Sequence, residues 1–370
     1  MKDKPCALIL SGGGARAAYQ VGVLKAISLQ YSRKDHVPFK ILCGTSAGGI
    51  NSTALACYAS CFRLGVKKLE YIWRNFSTEQ VYKTQLSQLA LKLSRQLLAG
   101  MQTRYANKIG FSLLDHSPLR TLLQHSMEFE RIDRNILRGA IQAAAITASD
   151  YSSGDSITFY QSNGLHPPWQ RSKRKGLQVL INSEHLMATS AIPLIFPPCQ
   201  IGQDYYGDGS VHQLAPLSPA IHLGAEKIFV ISLDQPQQKH PIYATPGLSE
   251  ISGHLLDTIF SDTLNADLER LHRINATIDQ LPQGASSNLK SISSFVIKPS
   301  QNFNQIAANY FSELPLTIKM LLASLGINKN SQSSLVSYLL FEQNYTRELI
   351  ALGQQDAQNR MAEINAFLNQ

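Results

Sequence analysis

The pentapeptide Gly44-Thr45-Ser46-Ala47-Gly48 constrains the fold of this chain more than any other feature. It follows a short β-prone apolar run, Phe39-Lys40-Ile41-Leu42-Cys43, and precedes Ile50 to Leu64, a stretch rich in Ala, Leu and Cys. That order predicts a strand, a tight turn and a helix, the setting in which G-x-S-x-G forms a nucleophile elbow. Gly44 and Gly48 flank the serine because such a turn brings backbone against backbone and leaves little room for a Cβ. The serine hydroxyl is then carried out at the C-terminal end of the strand. The following helix turns its N-terminus, with unpaired N–H groups, toward any negative charge that develops there. Those are the requirements of a serine acyl hydrolase.

A first strand candidate, Cys6 to Leu10, ends in Ser11-Gly12-Gly13-Gly14, and Ala15 to Gln30 has helical spacing at Val21, Leu24 and Ala26-Ile27. Strand, helix, strand, helix in this order predicts parallel pairing in an α/β sheet. Further strand candidates are Ile157-Phe159, Val179-Ile181, Ile228-Leu233 and Phe295-Ile297. Thr245 to Leu281, Ile306 to Leu325 and Leu335 to Leu368 predict a largely helical C-terminal third, with the polar stretch Gln280 to Ser293 as the best loop or boundary. No internal repeat or low-complexity linker interrupts the chain. At 370 residues and 44% apolar, it is long enough for one large domain or two smaller ones around a sizeable core.

Lysine plus arginine number 34 and aspartate plus glutamate 26, giving a formal net charge of +8. This modest basic bias suits an anionic surface, phospholipid or nucleic acid, without choosing between them. No aromatic residues interleave with the charge in a recognisable module, so no nucleic-acid partner is expected. Between Glu79 and Asp115 there is no acidic residue, while Lys83, Lys92, Arg95, Arg104 and Lys108 are basic. Within that stretch Leu86, Leu89, Ala90, Leu93, Leu97 and Met101 keep helical spacing, with Lys92, Arg95 and Arg104 off that face. Two readings fit: a basic amphipathic helix lying on an anionic membrane, or a surface helix packed on the core. A second basic cluster, Arg171-Ser172-Lys173-Arg174-Lys175, reads as a solvated loop.

The apolar run after Met1-Lys2-Asp3-Lys4-Pro5 is too short for a signal-peptide core. No run approaches the ~20 apolar residues of a membrane span. The expectation is a soluble, cytoplasmic chain whose membrane contact is peripheral. The cysteines, Cys6, Cys43, Cys57, Cys61 and Cys199, form no paired CxxC and match no histidine spacing, so no metal site is expected. Cys43, Cys57 and Cys199 lie in apolar surroundings and read as buried free thiols of a reducing compartment.

A serine nucleophile needs a base and an oxyanion hole. Gly12-Gly13-Gly14-Ala15-Arg16 follows a strand and opens a helix, so its backbone N–H groups can converge on an oxygen without side-chain clash. Arg16 adds a positive charge suited to a phosphate or an oxyanion. Gly12-x-Gly14-x-x-Ala17 also fits a dinucleotide-binding fingerprint, but Asp35, the acid at the right distance, precedes the next strand instead of closing it. No G-K-[ST] follows, which excludes a P-loop. Of the histidines, His212 has the most suggestive position, close to an Asp-Gly turn. More informative is Asp208 in Tyr205-Tyr206-Gly207-Asp208-Gly209-Ser210, where flanking glycines predict a tight loop projecting one carboxylate. An isolated Asp-Gly pair is also a common simple turn.

Taken together these motifs resemble the patatin-like phospholipases. Gly12-Gly13-Gly14-Ala15-Arg16, Gly44-Thr45-Ser46-Ala47-Gly48 and Asp208-Gly209 match in order. Ala188-Thr189-Ser190-Ala191-Ile192-Pro193 with Phe196-Pro197-Pro198 resembles the segment that family carries before its aspartate. Ser210 departs from the Gly or Ala more common there. The resemblance runs from about Ala7 to Asp234 and implies a three-layer α/β/α catalytic domain over residues 7–234 with a mainly parallel central sheet. Residues 235–370 would form a helical C-terminal extension packed on it. It implies a Ser46–Asp208 dyad needing no histidine, metal or cofactor. Gly12, Gly13, Gly14 and Arg16 would form the oxyanion hole, with Arg16 either steering the lipid phosphate or stiffening the hole, and Gly44, Gly48 and Gly209 would support the turns. The substrate class would be phospholipid or lysophospholipid acyl esters. A transacylase, a thioesterase or a catalytically silent membrane-binding module of the same fold stays open. An exposed aspartate with a pKa near ~3.9 would be a poor base, and burial in a lipid-binding cleft would raise it.

Overall fold

The computed structural model describes residues 4–85, 112–236, 257–258, 263–282, 289–329 and 333–369. The basic stretch between Glu79 and Asp115, with Lys92, Arg95 and Arg104, lies mostly outside the described residues.

Among the described residues, strands β1 (Cys6–Leu10), β2 (Ile41–Thr45), β3 (Ala143–Asp150), β4 (Ser156–Ser162), β5 (Trp169–Arg171), β6 (Arg174–Gln178), β7 (Cys199–Ile201), β8 (Asp204–Asp208), β9 (Lys227–Ile231) and β10 (Ser293–Ile297) form one sheet. Its main path runs β10-β9-β1-β2-β3-β4-β6-β5, and β8, paired with β7, joins β3. The five strands from β10 to β3 are mutually parallel, while β4 and β8 run antiparallel to β3.

Side chains of a strand alternate between faces, so a parallel strand covered on both sides is apolar throughout. In β1, Leu8 and Leu10 enter one core while Ala7 and Ile9 enter the other. On the first face lie helices α1 (Ala18–Ser28), α2 (Ala47–Cys57) and α3 (Phe62–Arg74), together with helix Gln343–Asn359. On the second lie Ser218–His222 and Thr263–Asp279. The result is three layers, with helices on both faces of a mixed, mostly parallel sheet, and a helical C-terminal region. That region also supplies the edge strand β10 and packs helix Gln343–Asn359 along α1.

Several expected elements differ. Val179-Ile181 is not a strand; pairing with β4 uses Arg174–Gln178 instead. The basic cluster is therefore the tip of the β5–β6 hairpin, its turn at Ser172-Lys173, with Arg171 opposite Arg174 and Lys175 paired to Asp155 at 2.7 Å. Ile306 to Leu325 divides at Pro315, because a proline holds the preceding Leu314 in an extended conformation (φ −56°, ψ 141°). Leu335 to Leu368 divides into Ser334–Leu339, Gln343–Asn359 and Met361–Leu368. Of Thr245 to Leu281, the helix described is Thr263–Asp279. The central strand β3 was not expected, since Ala143-Ala144-Ala145-Ile146 carries a good helix former at most positions.

Candidate active site

β2 ends at Thr45 and α2 begins at Ala47, leaving Ser46 alone in the turn with φ 54° and ψ −132°. A non-glycine residue held there stores roughly 1–3 kcal/mol, so its surroundings must enforce it. The Ser46 C=O accepts from Gly49 N at 2.9 Å and Ile50 N at 3.2 Å, which opens α2. The Ser46 N–H donates to Thr189 Oγ1 at 2.8 Å, and that hydroxyl donates onward to the Thr147 carbonyl of β3. Both flanking glycines are required by close approach. A Cβ on Gly44 would sit 2.3 Å from the Gly48 oxygen, and one on Gly48 would sit 2.3 Å from the Leu10 oxygen.

Asp208 reaches the same place through strand register. β2 pairs with β3 only as far as Thr45 opposite Thr147. The next residue of β3, Ala148, pairs with Asp208 of β8. β8 thus takes over the side of β3 that β2 vacates, and the last residue of β8 lies directly beyond the Ser46 turn. Asp208 is the end of a strand rather than part of the expected loop, and Gly209–Val211 follows as a 3-10 turn. Its N–H donates to the Ala191 carbonyl at 2.9 Å, and its carbonyl accepts from Ser149 Oγ at 2.8 Å. The carboxyl group is fully buried. Oδ1 accepts from Ser210 N at 3.0 Å, whereas Oδ2 has no hydrogen-bond partner. Burial pushes this carboxyl up to about 6, against smaller lowering from Ser46 and Ser210. The serine hydroxyl is thus near enough to favour the carboxylate, though no bond of good geometry joins them in this resting state. Catalytic hydrogen bonds commonly tighten only with substrate present.

The glycine loop packs against the start of α2. Ser11 ties it to the sheet, its Oγ donating to the Ile231 carbonyl at 3.3 Å and its own C=O accepting from Gln20 Nε2 at 2.7 Å. The amides of Gly12 and Gly13 donate to none of the turn and loop hydrogen bonds among the described residues. Gly14 adopts φ 54°, and a Cβ there would meet the Tyr338 carbonyl oxygen at 2.4 Å. The Arg16 guanidinium is turned into the C-terminal region. It is 1% exposed and bonds Ser337 Oγ, Asn304 Oδ1 and Asp257 there.

Ser46 and Gly14 open onto a cavity of about 500 Å³ whose walls include Ile50, Phe196, Tyr338 and Phe341. Its exposed lining residues, Leu64, Lys67, Lys68 and Tyr71 of α3 together with His125, mark the opening. A cavity of this size and apolar character suits an acyl chain. His212, half-buried, donates its backbone N–H to Ser149 Oγ at 3.1 Å, and its ring Nδ1 has no partner. Cys6, Cys43, Cys57 and Cys199 are buried, with the first three thiols pushed up to about 12 by desolvation, and Cys61 is half-buried. Among the described residues no group of three or more His, Cys, Asp or Glu could hold a metal, and no helix is long and apolar enough to cross a membrane. Asp35 accepts from Ser32 N in the turn before β2.

Thr189 and Ala191 hold the serine and aspartate in place, and residue chemistry alone gave no reason to choose them. The visible signal was the Ala188 to Pro193 segment, legible only through the family pattern.

The family model described as patatin-like phospholipase matches residues 8–221. A cGAMP-activated phospholipase of Pseudomonas aeruginosa is 26% identical over 209 residues, which cover 56% of this chain and 53% of that protein. The match thus spans about half the length of the relative. Among solved structures, VipD from Legionella pneumophila aligns over 97% of this chain and 67% of its own at 12% identity and a TM-score of 0.38. The type III effector ExoU aligns over 97% and 53% at 13% identity and a TM-score of 0.36. With more than half of its length matched to that family model, the chain belongs to the patatin-like phospholipase family.

Proposed function

We propose that this chain is a serine acyl hydrolase that cleaves an acyl ester of a phospholipid or lysophospholipid, with Ser46 as nucleophile and Asp208 as base. The observation that carries this reading is the unpartnered, buried Asp208 Oδ2, brought by the β3–β8 register to the turn that holds Ser46 at the edge of an apolar cavity. In the first step Asp208 takes the proton from Ser46 Oγ as that oxygen attacks the ester carbonyl. The oxyanion is received by amides of the Gly12–Gly14 loop and the N-terminus of α2. Asp208 then returns the proton to the departing alcohol. Water repeats the sequence on the acyl-enzyme, releasing fatty acid and freeing Ser46. A second alcohol in place of water would make the same site a transacylase. Lys92, Arg95 and Arg104 are proposed to dock the enzyme on an anionic membrane.

The test combines labelling by a fluorophosphonate probe with mass spectrometry of mixed lipids, each for wild type and Ser46→Ala. The expected result is labelling and fatty-acid release by the wild type alone. Wild-type protein that neither labels nor releases fatty acid, with and without cGAMP, would make the chain a silent binding module. Labelling retained in Ser46→Ala would assign the chemistry to another nucleophile.

A further inference from the structure

Arg16 carries a charge that is almost wholly removed from water, and each nitrogen of its guanidinium has its own acceptor. Nε donates to Ser337 Oγ at 2.8 Å, Nη2 to Asn304 Oδ1 at 2.8 Å and Nη1 to Asp257 Oδ1 at 3.1 Å. The acceptors are themselves joined. Ser337 Oγ donates to Asn304 Oδ1 at 2.8 Å, Asn304 Nδ2 to Ser334 Oγ at 3.0 Å, and Ser334 Oγ to Asp257 Oδ2. The Tyr338 ring lies 3.9 Å from the guanidinium carbon. The planar fork is thus held in one orientation by a closed ring of partners, which a single point charge would not achieve.

The position of this ring makes it more than a staple. Arg16 is two residues from Gly14, whose backbone rests on the Tyr338 carbonyl and which lines the cavity beside Ser46. Helix Ser334–Leu339 therefore touches the glycine loop twice, through backbone at Gly14 and through the Arg16 fork, and it also supplies Tyr338 to the cavity wall. An oxyanion hole works only when its donors are already aimed, so small displacements of the loop lower turnover without changing substrate binding.

We infer that Asp257, Asn304 and Ser337 are positioning residues for the Gly12–Gly14 loop, acting on catalysis through Arg16 although none of them touches substrate. This rests on the reading of that loop as the oxyanion hole. Asp257 is the acidic member of the ring, and its side chain is 34% exposed, so the loop's alignment depends on a carboxylate that solvent can reach.

The experiment measures kcat, KM and the fluorophosphonate labelling rate of full-length Asp257→Asn and Ser337→Ala, with thermal unfolding of each. Asp257→Asn is expected to lose about tenfold in kcat and in labelling rate, with KM unchanged and the pH limb set by Asp208 unmoved. Ser337→Ala removes one hydrogen bond and is the milder variant, expected to lose about threefold in the same two quantities. A lowered melting temperature with wild-type kcat and labelling in the folded protein would make the ring purely structural and overturn the inference. A raised KM at wild-type kcat would overturn it too, because that marks a substrate contact. Wild-type protein that fails to label refutes the serine-hydrolase reading instead, so the two failures are told apart.

Discussion

Asp208 holds one carboxylate oxygen in a satisfied hydrogen bond and the other in none, both out of reach of water. Its folded value of about 6, above the ordinary 3.8, has two consequences of opposite sign. As the proposed base it must be ionised, so that reading predicts hydrolysis that rises through about pH 6 and falls away below it. Stability runs the other way. Between the two values the folded protein keeps a proton that the unfolded chain has released. The contribution is therefore most favourable below the unfolded value and is lost as pH rises through the folded one. At neutral pH the buried carboxylate costs roughly 3 kcal/mol. Asp208→Asn should accordingly melt higher than wild type at pH 7.5, with the difference closing toward pH 4, while losing activity by orders of magnitude. His212→Ala should keep most activity, and an equally severe loss there would point to a triad. Thr189→Val tests the other half of the site. It removes the acceptor of the Ser46 amide at nearly constant shape, leaving a buried donor unpaired at a cost of about 1–3 kcal/mol. A fall in kcat of at least about tenfold with KM little changed is expected, and wild-type kcat would remove Thr189 from the positioning of Ser46.

At the scale of elements, α1 and helix Gln343–Asn359 meet through glycine on both sides. A Cβ on Gly22 would lie 2.1 Å from the Ile350 oxygen, and one on Gly353 would lie 2.1 Å from the Tyr19 oxygen. Neither neighbour is a flexible side chain, so neither can yield. Beside this contact Tyr19 OH donates to Asp356 Oδ2 at 3.0 Å, which also accepts from Ser300 N at 2.9 Å. Gly353→Ala should separate the helices and destabilise the protein by about 1–3 kcal/mol, despite Ala being the better helix former. Thermal unfolding unchanged or raised in that variant would contradict the close packing. The expected parallel strands β1 and β2 and the intervening α1 lie where alternating apolar and glycine-punctuated segments put them. β3 does not follow from local preference. Its alanines become strand because their small side chains fit between two covered faces of the sheet, with β2 and β8 on one side and β4 on the other.

For the molecule as a whole, residues beyond 234 complete what precedes them. β10 pairs with β9, and Phe229 of β9 stacks on Phe295 at 5.2 Å and meets Phe367 at 6.2 Å. All three polar partners of Arg16 also lie there. A chain ending at Asp234 would expose the apolar face of α1 and leave a buried guanidinium without its counter-charge, a loss of at least about 3–5 kcal/mol from the latter alone. It should fail to unfold cooperatively. A sharp transition together with hydrolysis by that fragment would make residues 7–234 an independent catalytic unit.

The sequence by itself determined the local chemistry. Gly44 to Gly48 between an apolar run and a helix, the glycines after Leu10, and Asp208 beside Gly209 each declare a backbone requirement or a reactive group within a few residues. Such requirements are short-range, set by φ, by the room for a Cβ and by helix termini. The tertiary structure decided which of these segments meet. The Ser46–Asp208 placement depends on β8 taking over from β2 along β3, a register between residues far apart in the chain. The assignment of Arg16 depends on acceptors more than 200 positions away. A charge next to three glycines reads equally as an anion site or as a brace for the loop until burial and partners are known. Desolvation, which raises Asp208 and confines Arg16, is a property of the packed molecule and has no local signature in the chain.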